Sequence, residues 1–327
     1  MTSPTPPTPS TRPETDWNDL SLDDYASRVL ASGHVRRLLD LCVEEDLGTT
    51  GDVTSLVCVP EADAASPVSA RLRSRQPARV AGLAFLPLIC AVFSEGACAW
   101  RSAVTDGASV EPGDLLGELS GPRGAVLGIE RTMLNLASRL SGIATLTDAY
   151  AEAIRAAGAD PHRVRLLDTR KTTPGHRLIE KYAVRCGGGY SHRIGLYDAV
   201  LVKDNHIAMA PGDLAGILEN LRTARDRFAL QFVEVEVDSL EQFETILKAE
   251  GASPGLVDIV LLDNMPPDTL REAVAMRDRA GSRILLEASG GITLETIGAI
   301  ALTGVDRIST GAITHQARSV DFGLDAG

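Results

Sequence analysis

From residue 160 onward the chain repeats one alternation, a short apolar β-branched run followed by a helical stretch. The runs fall at 164–167, 199–202, 232–237, 259–262, 284–286 and 307–308. Near-continuous apolar strands joined by helices indicate a parallel sheet covered on its faces, because each parallel crossover needs a long connection. Six units are too few to close an eight-stranded barrel. The pattern predicts an incomplete or open α/β barrel.

Each run ends in polar chemistry: Asp168-Thr169-Arg170-Lys171, Lys203-Asp204-Asn205-His206, Glu234 and Glu236, Asp263-Asn264, Glu287 with Ser289-Gly290-Gly291, and Ser309-Thr310-Gly311. Active sites of βα barrels form at the carboxyl ends of the strands. Residues 168–206 carry seven Lys or Arg against four acids, inside a chain of net charge −12. Arg177, Lys181 and Arg185 fit solvated helix faces. Arg170, Lys171 and Lys203 instead follow apolar strands, where a cation needs an anionic partner. With His192 and Arg193 they suggest a pocket for a ligand bearing several negative charges.

Ser289-Gly290-Gly291 and Thr310-Gly311-Ala312 each precede a helical stretch, a place where backbone N–H groups bind phosphate. Glu236 and Asp263 beside an anion pocket need a cation to face. A divalent metal carried by phosphates meets that need, as does the positive charge of an oxocarbenium-like transition state. Lys203 also admits a different class of chemistry, a Schiff-base lysine in a barrel aldolase, although Asp-Asn-His follows it. Glu45-Asp46-Leu47-Gly48-Thr49-Thr50-Gly51 imitates the acidic-pair loop of the common phosphoribosyltransferase fold. The residues before it resemble a helix end, not a buried strand, so it is not that loop.

The N-terminal half has another rhythm. Short β-like runs at 68–73, 79–83 and 99–104 are cut by Gly and Pro, with a turn signal at Asp106-Gly107. A helix is expected over 22–42, opened by a Ser21/Asp24 capping box, and another over 124–157 with a break at Ser141-Gly142. Residues 1–15 hold five Pro and no large apolar side chain, which predicts a disordered leader with no secretory h-region.

The acidic balance and 4% aromatic content disfavour a nucleic-acid partner. No run approaches the roughly 20 apolar residues of a membrane span. The five cysteines are odd in number and never spaced C-x-x-C, which fits a reducing cytoplasm.

The motifs together resemble the nicotinate-nucleotide pyrophosphorylase, or quinolinate phosphoribosyltransferase, family. The resemblance runs through Asp168 to Gly175, Glu180-Lys181-Tyr182-Ala183, Gly187-Gly188-Gly189, His192-Arg193 and Val202-Lys203-Asp204-Asn205-His206. It continues through Glu234-Val235-Glu236, Leu262-Asp263-Asn264, Glu287 to Gly291 and Thr310-Gly311-Ala312 to His315. Upstream it includes Glu45-Asp46, Gly51-Asp52, Glu130-Arg131, Asn135 and Ser141 to Thr145. It implies an α/β sandwich over 21–133 completed by 316–327 and an open α/β barrel over 134–315; the Pro-rich leader, expected disordered over 1–20, is an addition to the family pattern.

The implied reaction joins quinolinate to 5-phosphoribosyl 1-diphosphate with Mg²⁺, giving nicotinate mononucleotide, diphosphate and carbon dioxide. The resemblance gives Arg170, His192, Arg193 and Lys203 the quinolinate carboxylates, with Arg131 reaching them from a partner subunit. Lys171 faces the diphosphate, and Glu236 and Asp263 face the ribose and, indirectly, the metal; these three are the catalytic set. Ser289, Gly290, Gly291, Gly311 and Ala312 cradle the 5-phosphate, and Thr169, Ile313 and His315 complete the substrate-binding set. A homodimer is implied, or a higher assembly such as a hexamer of dimers. A paralogue that keeps the phosphoribosyl site but takes another acceptor, as in molybdenum-transport-associated homologues, is the near alternative. His176 departs from the family pattern, standing where a bulky apolar residue is expected.

Overall fold

The computed structural model describes residues 16–160, 163–209 and 214–326. The expected leader lies outside them up to residue 15. The described chain divides into two compact units, one built from the chain up to Asp19, Tyr150–Arg170 and Ser191–Thr310, the other from Leu20–Ala149, Lys171–Tyr190 and Gly311–Gly327.

The first unit contains the six expected strands: Arg165–Leu167, Val200–Val202, Val233–Val237, Ile259–Asp263, Leu285–Ser289 and Arg307–Ser309. All are parallel. Chain neighbours pair from Val200–Val202 through to Arg307–Ser309, and the last strand pairs back onto Arg165–Leu167. The sheet thus follows barrel order with one seam missing among the described residues, between the first strand and the second. Val233, Val235, Val260, Leu262, Leu286 and Ile308 are fully or almost fully buried on these strands, the apolar burial that favours parallel strands. The register sets Asp263, Ser289 and Ser309 abreast, with Leu167 next to Ser309.

Trp17–Asp19, within the span assigned to a disordered leader, form a turn of 3-10 helix. Asn18 explains why they are ordered: its side-chain amide donates to the Ser191 carbonyl at 2.9 Å, and its carbonyl oxygen accepts the Ser191 N–H at 2.7 Å.

The second unit is a four-stranded antiparallel sheet with helices. Pro67–Ser74 pairs on one side with Leu115–Pro122 and on the other with the C-terminal strand Phe322–Ala326, so the chain's last strand completes the sheet. The Ser21 hydroxyl caps the first helix by accepting the Asp24 N–H. The helix expected over 22–42 is two helices, Leu22–Ala31 and His34–Leu47, because Gly33 between them adopts φ 71°.

Arg123–Ala156 is one continuous helix of 34 residues, so the expected break at Ser141-Gly142 is absent. Gly142 serves close approach instead: a Cβ there would lie 2.0 Å from the Arg318 carbonyl oxygen. Lys181, expected on a solvated face, is fully buried. Its helix, Arg177–Cys186, is enclosed on nearly every side, with Ile179 through Val184 all buried. The Glu45-Asp46 decoy ends a helix, and Asp46 accepts the Thr132 hydroxyl at 2.7 Å.

Candidate active site

In the barrel unit, the polar residues after each strand are held by main-chain bonds. Asp168 directly follows the first strand and is fully buried. Its carboxylate accepts the His192 N–H at 2.8 Å, fixing the 191–193 segment to that strand end. Arg170, two residues further on, is half-buried, and its buried Nε has no hydrogen-bond partner among the described residues. A buried guanidinium donor without an acceptor is costly unless an anion arrives.

Lys203 directly follows the second strand, and its Nζ lies 2.9 Å from Glu236 Oε2. Glu236 and Asp263 are half-buried at the ends of their own strands. Asp263 Oδ2 accepts the Asn264 side-chain amide at 2.7 Å. Both acids offer hard oxygen donors of the kind Mg²⁺ takes.

Gly290 and Gly291 follow the fifth strand with φ 87° and 61°. A Cβ on Gly290 would meet Asn264 Oδ1 at 2.3 Å, so only glycine fits this turn. Asn264 is itself left-handed at φ 54° and donates its N–H to the Ser289 carbonyl at 2.9 Å. The Ser309 hydroxyl donates to Ser289 Oγ at 3.1 Å. Adjacent strand ends therefore present hydroxyls and a tight glycine turn, the equipment of a phosphate cradle.

His192 and Arg193 are almost completely buried. His192 Nε2 lies 3.0 Å from Glu234 Oε2 and 3.3 Å from Glu287 Oε1. Arg307 Nε donates to Glu287 Oε2 at 2.7 Å, and the register places Arg307 directly across from Glu287. Nδ1 of His192 accepts the Arg193 N–H at 2.8 Å, which fits a ring protonated at Nε2 alone. Burial and the adjacent Glu287 raise the Glu234 carboxyl pKa. Burial would also raise Glu287, but the His192 Nε2–H and the Arg307 guanidinium overcome it and hold that carboxyl far below its usual range. His192, Glu234 and Glu287 have a metal-like donor grouping. Arg307 already occupies Glu287, so the four side chains form one buried quartet of ion contacts.

In the other unit, Lys171 is exposed and lies along Gly311: a Cβ there would fall 2.7 Å from Lys171 Cδ and 3.0 Å from the His315 ring. The Thr314 hydroxyl donates to the Lys171 carbonyl at 2.8 Å. Gly311, Ala312 and Ile313 are buried, and His315 is exposed. A brace unforeseen in the sequence holds these pieces. Arg139 bonds Glu180 at 3.0 Å and the carbonyls of Thr314 and Ala317, while Glu180 accepts the Thr173 hydroxyl at 2.8 Å. Arg131 is exposed on the long helix. His176 is half-buried, and burial holds its pKa below the usual value.

Quartet and brace were both missed because their members read singly. Two signals were available. Val-Glu-Val-Glu-Val at 233–237 sets both acids on one strand face, and Glu287 and Arg307 occupy neighbouring strands.

Comparison with known proteins places the chain in a family. Residues 143–325 match the family model "Quinolinate phosphoribosyl transferase, C-terminal domain", and residues 52–141 match its N-terminal domain model. The chain is 40% identical over 292 residues to a probable nicotinate-nucleotide pyrophosphorylase [carboxylating] of Bacillus subtilis, covering 89% of this chain and 93% of that one. It is also 40% identical to the nicotinate-nucleotide pyrophosphorylase [carboxylating] of Mycobacterium leprae, covering 89% and 95%. The solved nicotinate-nucleotide pyrophosphorylase of Francisella tularensis superposes with a TM-score of 0.78 at 34% identity, covering 96% of this chain and all of that one.

Proposed function

The chain belongs to the quinolinate phosphoribosyl transferase family, and from that premise we propose how its residues carry out the family's chemistry. It is a pentosyltransferase of NAD biosynthesis: phosphoribosyl passes from 5-phosphoribosyl 1-diphosphate to quinolinate, with loss of carbon dioxide, to give nicotinate mononucleotide and diphosphate. One observation supports the acceptor above others. Arg170, at a barrel strand end, keeps a buried guanidinium donor with no acceptor among the described residues, and a ligand carboxylate supplies one.

The pyridine nitrogen attacks the anomeric carbon with its own lone pair, so no protein base is required. The residues position and stabilise charge instead. Arg170, Arg193 and Lys203 take the two quinolinate carboxylates, together with Arg131 of the partner subunit in a homodimer. Glu236 and Asp263 face the positive charge that builds on the ribose as diphosphate leaves. Once ribosylated, the ring nitrogen is cationic and stabilises the carbanion formed as the adjacent carboxylate departs. Ser289, Gly290 and Gly291 take the 5-phosphate. In the other unit the same reading gives Lys171 the diphosphate, and Gly311, Ala312, Ile313 and His315 the phosphate contacts. Glu236 and Asp263 suit Mg²⁺, which neutralises diphosphate charge when bound with the donor.

An aldolase reading of Lys203 fails on its surroundings. The side chain is 46% exposed and ion-paired, whereas a Schiff-base lysine needs a depressed pKa. The acceptor is tested by incubating the chain with donor, Mg²⁺ and either quinolinate or nicotinate. Mononucleotide from quinolinate alone supports the reading; turnover of nicotinate but not quinolinate contradicts it.

A further inference from the structure

We propose that Glu234, Glu287 and Arg307 are positioning residues for the acceptor: they lock the His192 ring and, through it, the main chain that carries Arg193. The inference rests on the functional reading above and alters one part of it. His192, grouped by resemblance with the carboxylate-binding residues, acts through Arg193 rather than on substrate.

Both ring nitrogens of His192 face protein groups. An imidazole has two nitrogens. In His192, Nε2 faces Glu234 and Glu287 at 3.0 and 3.3 Å, and Nδ1 accepts the Arg193 N–H at 2.8 Å. Both are committed to protein, and the residue's own N–H is committed to Asp168. No ring nitrogen remains for a substrate carboxylate. The ring is also fixed in plane, since it stands edge-on to Phe232 at 5.5 Å, and the Arg307 guanidinium lies over the same Phe232 ring at 5.4 Å. Asp168 holds the segment from the first strand, and the quartet holds it from the third, fifth and sixth.

The placement of the acids supports this role. Side chains two residues apart on a strand share a face, about 6.6 Å apart. Glu234 thus lies one repeat before Glu236, and Glu287 one repeat before Ser289, each just short of a residue assigned to substrate. A buried ionic network contributes little net stability over apolar packing of the same volume. Its distinctive product is fixed geometry, which an arginine gripping a planar dicarboxylate requires.

Two experiments test the proposal. In steady-state assays, Glu234→Gln and Glu287→Gln keep side-chain shape and put an amide NH₂ in place of one carboxyl oxygen. Each is expected to raise the KM for quinolinate about tenfold or more, while the KM for the phosphoribosyl donor and kcat stay within about threefold, and Arg307→Lys is expected to lie between wild type and these variants. The second experiment is ¹⁵N NMR of the wild-type chain labelled at its six histidines, with His192 assigned through His192→Gln. Its ring should show one protonated and one acceptor nitrogen, unchanged when quinolinate saturates the site. If either Gln variant does not fold, the spectrum decides. An unchanged quinolinate KM in both folded variants, or a ring nitrogen that takes a new hydrogen bond on adding quinolinate, overturns the proposal alone. A wild-type chain inert toward quinolinate overturns the functional reading and this proposal with it.

Discussion

Lys203 Nζ stands 2.9 Å from Glu236 Oε2, so a cation assigned to the acceptor and an acid assigned to the ribose neutralise each other before substrate arrives. On the proposed reading, quinolinate competes for the lysine and releases the carboxylate toward the charge that develops during transfer. A carboxylate about 4 Å from that charge contributes about 1 kcal/mol in water and about 4 at an effective dielectric of 20. Glu236→Gln should therefore lower kcat by about fivefold to a thousandfold, scaling with how dry the closed site is. The KM for quinolinate should hold or fall, because Lys203 is released. Steady-state kinetics with each substrate varied in turn check this.

Arg170 carries the opposite signature. Its buried Nε lacks a partner among the described residues, and charge-assisted hydrogen bonds contribute about 1.5–3 kcal/mol. Arg170→Ala should raise the KM for quinolinate about tenfold to a hundredfold and leave the donor KM nearly unchanged. Equal effects on both substrates would place Arg170 elsewhere.

Gly290 is predicted to be intolerant of any side chain. Its φ of 87° disfavours L-residues, and a Cβ would strike Asn264 Oδ1. Gly290→Ala should weaken donor binding with little effect on quinolinate affinity, since the turn lies in the proposed phosphate cradle. Calorimetric titration with each ligand separates the two.

The quartet gives stability a definite acid limb. Glu287 is depressed in the folded state, against its burial, by the His192 Nε2–H and by Arg307. A depressed carboxyl contributes stability above its unfolded value, near 4.5, and loses it as pH falls below that point. Urea unfolding of wild type between pH 6 and pH 2.5 should show stability dropping as pH falls below about 4.5. Glu287→Gln should be less stable at pH 7, by about 3–5 kcal/mol for a broken buried pair, with a flatter acid limb. Parallel curves would contradict this.

The strands of the barrel and their polar ends were legible because a parallel strand buried on both faces has little freedom in sequence. Ser21 and Asp106-Gly107 were legible for a similar reason, their effects being local: Gly107 takes φ 87° as a turn demands. Gly142 misled because glycine marks a break in an isolated helix, yet here it admits the Arg318 backbone, a partner 176 positions later in the chain. Lys181 misled because a charge at helical spacing normally faces water, and only the enclosed helix shows otherwise. The candidate site residues were visible as motif members. The quartet was not, since Glu234, Glu287 and Arg307 become one object only when three strands bring them against His192.

The central claim, that this chain ribosylates and decarboxylates a pyridine dicarboxylate, is tested most directly by product stoichiometry. Quinolinate labelled in the carboxylate next to the ring nitrogen is incubated with the phosphoribosyl donor, Mg²⁺ and the purified chain. The account predicts labelled carbon dioxide, diphosphate and nicotinate mononucleotide in equal amounts. Diphosphate released without labelled carbon dioxide, or label retained in the nucleotide, would contradict it.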